Sequence, residues 1–267
     1  MDLKVLKYEI QESVAIITLN NPPVNALDVP CFDDLKKIIY NLQNNKTARA
    51  AMIASECPGF FSAGDDLNSL KEIDEELVKR QPEVHKLFND FESLPIPTLS
   101  TINGHCLGGG LELALLCDFR FMTKGSGRIG LPEVRLGMIP AFGGTQRLWP
   151  IVGKAKAIEM MYKGLQLLPE EALAVGLVNR VVEEEKLFEE SFDYCVRLAR
   201  QATGAIAKIK QCLNVGIQKG FEVGMKMEQK TFLDNIFSED AKEGVNAFLE
   251  GRKPVFKGSS SNKEQST

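Results

Sequence analysis

The sequence is poor in the residues from which most nucleophile and metal sites are built. It has two histidines, His85 and His105, and a single tryptophan. Its six cysteines stand apart at positions 31, 57, 106, 117, 195 and 212, with no C-x-x-C pair. So scattered a set argues against a zinc site and reads as reduced, buried thiols rather than a disulfide framework. A nucleophile–histidine site would have to use one of the two histidines. Cys106 beside His105 is poorly placed for that, because neighbours in a strand point to opposite faces. No apolar run approaches the ~18 residues of a membrane span. The opening MDLKVLKYEIQES holds none long enough for a secretory signal, so the expectation is a cytoplasmic chain. Nor is basic charge in excess: 32 Lys and Arg against 36 Asp and Glu give a net charge of −4. That argues against nucleic acid as a partner and leaves a phosphorylated small molecule open.

What is present has the balance of an ordinary globular chain, 44% hydrophobic and 25% charged over 267 residues. That length admits one large domain or one plus an appendage. VLKYEI and VAIITL flank a polar QES and predict a hairpin. After NNPPVNALD, the residues Phe32, Leu35, Ile38, Ile39 and Leu42 fall on one face of a helix. AAMIAS, IPTLSTI and FRFMT read as strands, and PGFFSAGDDL as a loop. KEIDEELVKRQPEVHKLFNDFESL is charged and helical in part, which reads as a solvated face. Recurring strand–loop–helix units predict an α/β architecture. From about residue 153 the pattern turns mostly helical. There Ile206, Ile209, Leu213 and Ile217 form one apolar stripe, and Phe221, Met225, Phe232 and Ile236 form another. These are expected to bury against a neighbouring subunit or the rest of the chain.

The segment GHCLGGGLELALLCD, residues 104–118, places glycines at 104, 108, 109 and 110 just before a short helical pattern. Each glycine costs roughly 1 kcal/mol in a helix, so the run needs a reason. It is no phosphate loop, since it ends Gly-Leu-Glu, and its spacing does not fit G-x-G-x-x-G. Two readings remain: amides presented to a developing negative charge, or close packing of a helix on a strand. FFSAGDDL supplies a second tight loop at Ala63-Gly64, and amides from both loops converging on one point would make an oxyanion hole. Two carboxylates accompany them. Glu112 lies in the first helical turn, where the dipole favours its ionised form by roughly 0.3–1 kcal/mol. That dipole is equally a purely structural reason for a glutamate there. Glu133, in GLPEVRLGMIPAFGGTQRL, lacks such help and would be raised by a second carboxylate nearby. One environment favours a base and the other a proton donor.

These segments, with NNPPVNALD, EEALAVGLVNRVV and SEDAKEGVNAFLEGRKPVF, resemble in fixed order the enoyl-CoA hydratase/isomerase (crotonase) family, from about Val5 to Lys257. The resemblance implies an α/β fold, a crotonase-like spiral of ββα units with a helical C-terminal subdomain. It divides the chain into a catalytic, acyl-CoA-binding spiral (1–200), a helical trimerisation subdomain (201–257) and a disordered tail (258–267). It implies that the Ala63 and Gly109 amides hold a thioester oxygen and that Glu112 and Glu133 occupy the family's two carboxylate positions. Substrate contacts are implied at Val24, Ala26, Ala63, Gly64, Asp65, Asp66, Gly109 and Phe248, the last across a subunit boundary. The partner is an acyl-CoA, with coenzyme A as part of the substrate and no metal or redox cofactor. The assembly is a homotrimer or a dimer of trimers. Possession of both carboxylates favours hydratase, while isomerase, dehydratase and a catalytically idle acyl-CoA binder are the alternatives. Leu67, Leu131, Met138 and Phe142 read equally as pocket lining or plain core. Two positions depart from the family pattern: Ala141 where glycine is usual, and Gly251 where many relatives have lysine, with Arg252 or Lys253 as substitutes for the missing cation.

Overall fold

A computed structural model of the chain describes residues 1–66 and 75–258. Leu67, the start of the charged stretch at 71–74 and the tail from 259 onward lie outside the described residues. The chain opens with β1 (Leu6–Gln11) and β2 (Val14–Leu19), antiparallel in the register Leu6↔Leu19 to Gln11↔Val14. Glu12 and Ser13 between them have φ of 46° and 65°. Two such residues make the turn whose twist matches that of the flanking strands, so the expected hairpin forms on QES. After β3 (Ala26–Leu27), Asp28 caps α1 (Val29–Asn44) by accepting from the Cys31 N–H. Leu35, Ile38, Ile39 and Leu42 are buried and Phe32 is partly so, the face that the spacing predicts.

The chain then repeats one step. β4 (Ala50–Ser55) is followed by β5 (Phe60–Ser62), β6 (Gly64–Asp65) and α2 (Glu75–Glu92). β7 (Thr98–Ile102) is followed by β8 (His105–Leu107) and α3 (Gly109–Leu115). β9 (Phe119–Thr123) is followed by β10 (Ile129–Gly130) and a 3-10 turn at Glu133–Leu136. Helices α4 (Gly144–Arg147), α5 (Trp149–Val152) and α6 (Lys154–Lys163) lead to β11 (Gln166–Leu167), α7 (Pro169–Ala174) and β12 (Arg180–Val182). The remainder is helical: α8 (Glu184–Ala199), α9 (Thr203–Lys219), α10 (Phe221–Ile236) and α11 (Glu239–Leu249).

The longer strands form one sheet in the order β1-β2-β4-β7-β9-β12, parallel after the first pair, and the short ones form another in the order β11-β10-β8-β5. β3 pairs with β6 alone. Both faces of the large sheet are covered, which is why β4 is apolar from Ala50 to Ala54. Val14, Ile16, Met52 and Leu99 pack with Leu187, Cys195 and Val196 of α8. Ala15, Ile17, Ala51 and Ile53 face the opposite way, into a larger core with Ile38, Phe88 and Leu111.

This topology positions the site. β5, β8 and β10 are parallel neighbours, so their C-terminal ends lie along one edge. The residues leaving those ends are the ones singled out above: Ala63 and Gly64 after β5, Gly108 and Gly109 after β8, and Glu133 just past β10.

The helical tail turns its stripes away from the body of the protein. Ile209, Leu213, Ile217, Phe221, Met225, Phe232 and Ile236 are all exposed on this chain, so they do not bury against the spiral. The side of α9 that faces the sheets is polar: buried Lys210 reaches the Asp118 carboxylate at 3.1 Å and the Ile96 carbonyl at 3.4 Å. With that side committed, the apolar stripe points outward. α10 lies close against α9, since a Cβ on Gly224 would stand 2.8 Å from Gly216 Cα.

Candidate active site

The four glycines after β7 prove to serve different purposes. At Gly104 and Gly110 they allow close packing: a Cβ would meet the Gly59 carbonyl at 2.1 Å in the first case and the Ser62 carbonyl at 2.6 Å in the second. Gly108, with φ of 53°, turns the chain into α3 and has Glu133 Oε1 3.3 Å from its Cβ position. Gly109 is the first residue of α3, so its N–H has no intrahelical acceptor. The loop after β5 comes up against it backbone to backbone, with a Cβ on Gly64 only 3.0 Å from Gly109 N.

The expected partner of Gly109, the Ala63 amide, is already engaged. Its N–H donates to the Val24 carbonyl at 2.9 Å, extending the ladder by which β6 pairs with β3. The Gly64 N–H donates to Ser62 Oγ at 3.1 Å. Pairing with the neighbouring strand thus takes the Ala63 donor away from the cleft, which corrects the assignment made from sequence.

The two glutamates sit in contrasting surroundings. Glu112 is fully buried, and its Oε1 accepts from Phe142 N at 2.8 Å and from Gly144 N at 2.6 Å. Burial raises its pKa, and the Gly144, Phe142 and Ala141 amides with the Arg147 charge only partly offset that. The dipole argument, which favoured the ionised form, is therefore outweighed by desolvation. Glu133 has both carboxyl oxygens buried with no hydrogen-bond partner among the described residues. Burial first, and then the charge of Glu112, push it up to about 7. The direction expected for Glu133 holds, although the neighbouring carboxylate is the smaller cause.

A cleft of about 410 Å³ gathers most of the other singled-out residues: Val24, Ala26, Ala63, Gly64, Asp65 and Asp66 line it together with Gly109, Glu112 and Glu133. Met138 also lines it, Phe142 lines an adjoining cavity, and Leu131 is plain core. Phe248 is not brought there; it stands 85% exposed on α11. Arg252 offers no free cation beside it, being held by Glu243 at 2.6 Å and by Glu250 at 2.6 Å. Gly251 has φ of 68° just past the end of α11, a left-handed helix stop that favours glycine over lysine. Cys106 is buried while His105 is half-exposed on the opposite face, and burial pushes the Cys106 thiol far up, so the two form no nucleophilic pair.

Sequence reasoning missed what holds Glu112. Gly143, with φ of 105°, turns the chain so that the Gly144 N–H reaches the carboxylate, and a Cβ on Gly144 would stand 3.0 Å from Glu112 Oε1. Arg147 pins this loop by donating to the Phe142 carbonyl at 2.9 Å while pairing with Glu92 of α2 at 2.9 Å. The signal was the Gly143-Gly144 pair ahead of a helix, which has no partner in the sequence to point to.

Residues 9–259 match the family described as enoyl-CoA hydratase/isomerase. A probable enoyl-CoA hydratase of Bacillus subtilis is 35% identical over 261 residues, covering 96% of this chain and all of that one. The mitochondrial methylglutaconyl-CoA hydratase of Homo sapiens is 36% identical over 239 residues, 88% of this chain and 70% of that one. A crystal structure of the enoyl-CoA hydratase from Bacillus anthracis superposes with a TM-score of 0.90 at 32% identity, covering 96% of this chain and 100% of that one. The architecture is therefore the crotonase fold. The chain belongs to the enoyl-CoA hydratase/isomerase family, whose members bind acyl-CoA substrates.

Proposed function

We propose that this protein adds water across the double bond of 2-enoyl-CoA thioesters. The observation that carries the reading is a pair of carboxyls on one cleft in opposite hydrogen-bonding states. Glu112 is tied through one oxygen by two backbone amides, while Glu133 has no partner among the described residues and is raised to about 7. Such a pair divides into base and acid, though it titrates as a coupled unit.

The steps follow from that division. The thioester oxygen lies against the Gly109 amide and, with Ala63 and Gly64 committed elsewhere, against that of Asp65, the last residue of β6 and on the cleft. Two such donors stabilise the enolate as charge moves onto that oxygen. Water attacks the β-carbon and the double-bond pair shifts toward the carbonyl. Glu112 takes the proton that water releases, and Glu133 delivers one to the α-carbon. The addition is redox-neutral and calls for no metal or redox cofactor. The relatives' names span plain enoyl-CoA and methylglutaconyl-CoA, so acyl choice belongs to each member's own pocket. For assembly we propose a trimer or dimer of trimers built on the groove between α9 and α10. Exposed Ile209, Leu213, Ile217, Phe221, Met225 and Phe232 line it, a contiguous apolar face of the kind that marks contact with another protein surface.

The test is hydration of a panel of enoyl-CoAs of roughly four to sixteen carbons, a span chosen to bracket pocket sizes, followed by loss of enone absorbance. The wild type should turn over, and Glu112→Gln and Glu133→Gln should each lose ~10²–10⁴ in rate, the range for a lost general acid or base. If Glu112→Gln hydrates at near the full rate while Glu133→Gln loses all turnover, a single-carboxylate isomerase replaces this reading.

A further inference from the structure

Beside the catalytic cleft lies a second cavity of about 560 Å³, walled largely by Leu27, Val29, Pro30, Phe32, Val84 and Phe142. Asp65, Asp66 and Ala141 line both spaces and so form the neck between them. Most polar groups on the cavity wall are already committed. Asp28 accepts from Cys31 N and Asn21 Nδ2, and Gln81 donates to the Ala141 carbonyl. Asp66 and Arg80 have interactions of their own.

Asp65 is the exception. Its side chain makes no hydrogen bond or ion pair among the described residues, and it is half-buried. Among the described residues, the charges that raise it are those of Glu112, Glu133 and Asp66, all of its own sign. Burial, followed by those three carboxyls, pushes it up to about 7. An uncompensated carboxyl in such a place costs stability. What it does supply is negative potential where the cleft and the apolar cavity adjoin.

We propose that Asp65 selects the acyl group: a tail bearing a second carboxylate is turned away at the neck, and a neutral tail passes into the cavity. This rests on the acyl-CoA reading of the cleft above. Repulsion between like charges at a contact is a recognised source of such discrimination.

Pentanoyl-CoA and glutaryl-CoA have acyl chains of equal length, differ by the terminal carboxylate and, being saturated, do not react. Their affinities are measured by titration calorimetry at pH 8 for the wild type and Asp65→Asn. The wild type should prefer pentanoyl-CoA by at least about tenfold, and Asp65→Asn should cut that preference to less than about threefold, mainly by binding glutaryl-CoA more tightly. If Asp65→Asn fails to fold, Asp65→Ser reads the same ratio. A preference unchanged in the variant, or a wild type that binds glutaryl-CoA as well as pentanoyl-CoA, overturns the proposal. A wild type that binds neither overturns the acyl-CoA reading with it. Selective binding without hydration of any enoyl-CoA overturns only the reaction.

Discussion

Replacing Glu112 separates two roles that its position combines. Its Oε1 is the acceptor for the Phe142 and Gly144 N–H groups at 2.8 and 2.6 Å, in a place closed to water. Glu112→Ala leaves both donors without a partner, and each buried unsatisfied amide costs about 1–3 kcal/mol, so the loss should be about 2–6 kcal/mol. In a chain of this size that lowers the melting temperature by on the order of 10 °C. Glu112→Gln keeps a carbonyl oxygen where both amides point, and should melt within about 3 °C of the wild type. Activity divides differently. Both variants lack the carboxylate, so both should lose ~10²–10⁴ in hydration per folded molecule.

Melting, urea unfolding and enone hydration on one preparation of each protein decide the matter. An alanine variant as stable as the wild type would show that the two amides do not depend on Glu112. A glutamine variant as unstable as the alanine one would mean that the charge, not the acceptor, holds the loop at 141–144. Undiminished hydration by the glutamine variant would remove Glu112 from the chemistry.

Glu133, raised to about 7, should give kcat/KM for hydration a limb that falls above about pH 7, where its proton is lost, and Glu133→Gln should lack that limb in its residual rate. The same shift has a sign for stability: a carboxyl raised above its unfolded value near 4.3 stabilises the fold when protonated, and that contribution disappears as pH rises through 7. Glu133→Gln should therefore gain on the wild type by on the order of 1 kcal/mol between pH 5 and 8, solvent screening included, and equal urea midpoint shifts at both pH values would contradict this. Asp34 runs the opposite way. Burial opposes its charge, but the N–H groups of Val5, Lys4 and Leu6 outweigh burial and lower its pKa. Asp34→Ala should cost about 2–4 kcal/mol in urea unfolding at pH 7. Its deficit should shrink as pH falls below the unfolded value near 3.9 and on through the folded one. At the groove between α9 and α10, Phe232→Glu should turn the trimer or hexamer into monomers in light scattering; monomeric wild type at micromolar concentration would defeat the assembly proposal.

The parts of the fold legible in the sequence are those where one physical pattern runs long enough to be counted. The hairpin shows in two apolar runs around QES, α1 in a five-residue stripe, and the central strand in its apolar run from Ala50 to Ala54, both of whose faces are covered. β3, β6, β10 and β11 are two residues each, below any period that side chains can display. They nonetheless carry the spiral from step to step. The stripes of α9 and α10 were visible, but their direction was not. Lys210, next to Ile209 in the sequence, reads as one more surface lysine until the Asp118 carboxylate and the Ile96 carbonyl are seen to receive it.

The candidate site divides along a similar line, between side-chain identity and backbone direction. A carboxylate announces itself by residue type, so Glu112 and Glu133 were readable, and the topology brings both to one cleft. An amide donor announces nothing, because every residue but proline has one. Whether it faces a substrate is decided by which neighbouring strand claims it first. Val24 claims Ala63, Ser62 claims Gly64, and the first position of α3 leaves Gly109 without a claimant inside its helix. The pairing of β3 with β6 that makes these claims involves four residues, Ala26, Leu27, Gly64 and Asp65. The question raised by the glycine run thus has a divided answer. Gly104 and Gly110 are there because a Cβ would stand within 3 Å of neighbouring backbone, and Gly108 because the chain must turn beside Glu133. Gly109 stands apart: a Cβ there would press on Phe142 and Leu27 side chains at 3.2 and 3.3 Å, which can shift, rather than on backbone, which cannot. Gly109 alone of the four is required neither by nearby backbone nor by a positive φ, which leaves its amide as the strongest reason for its place.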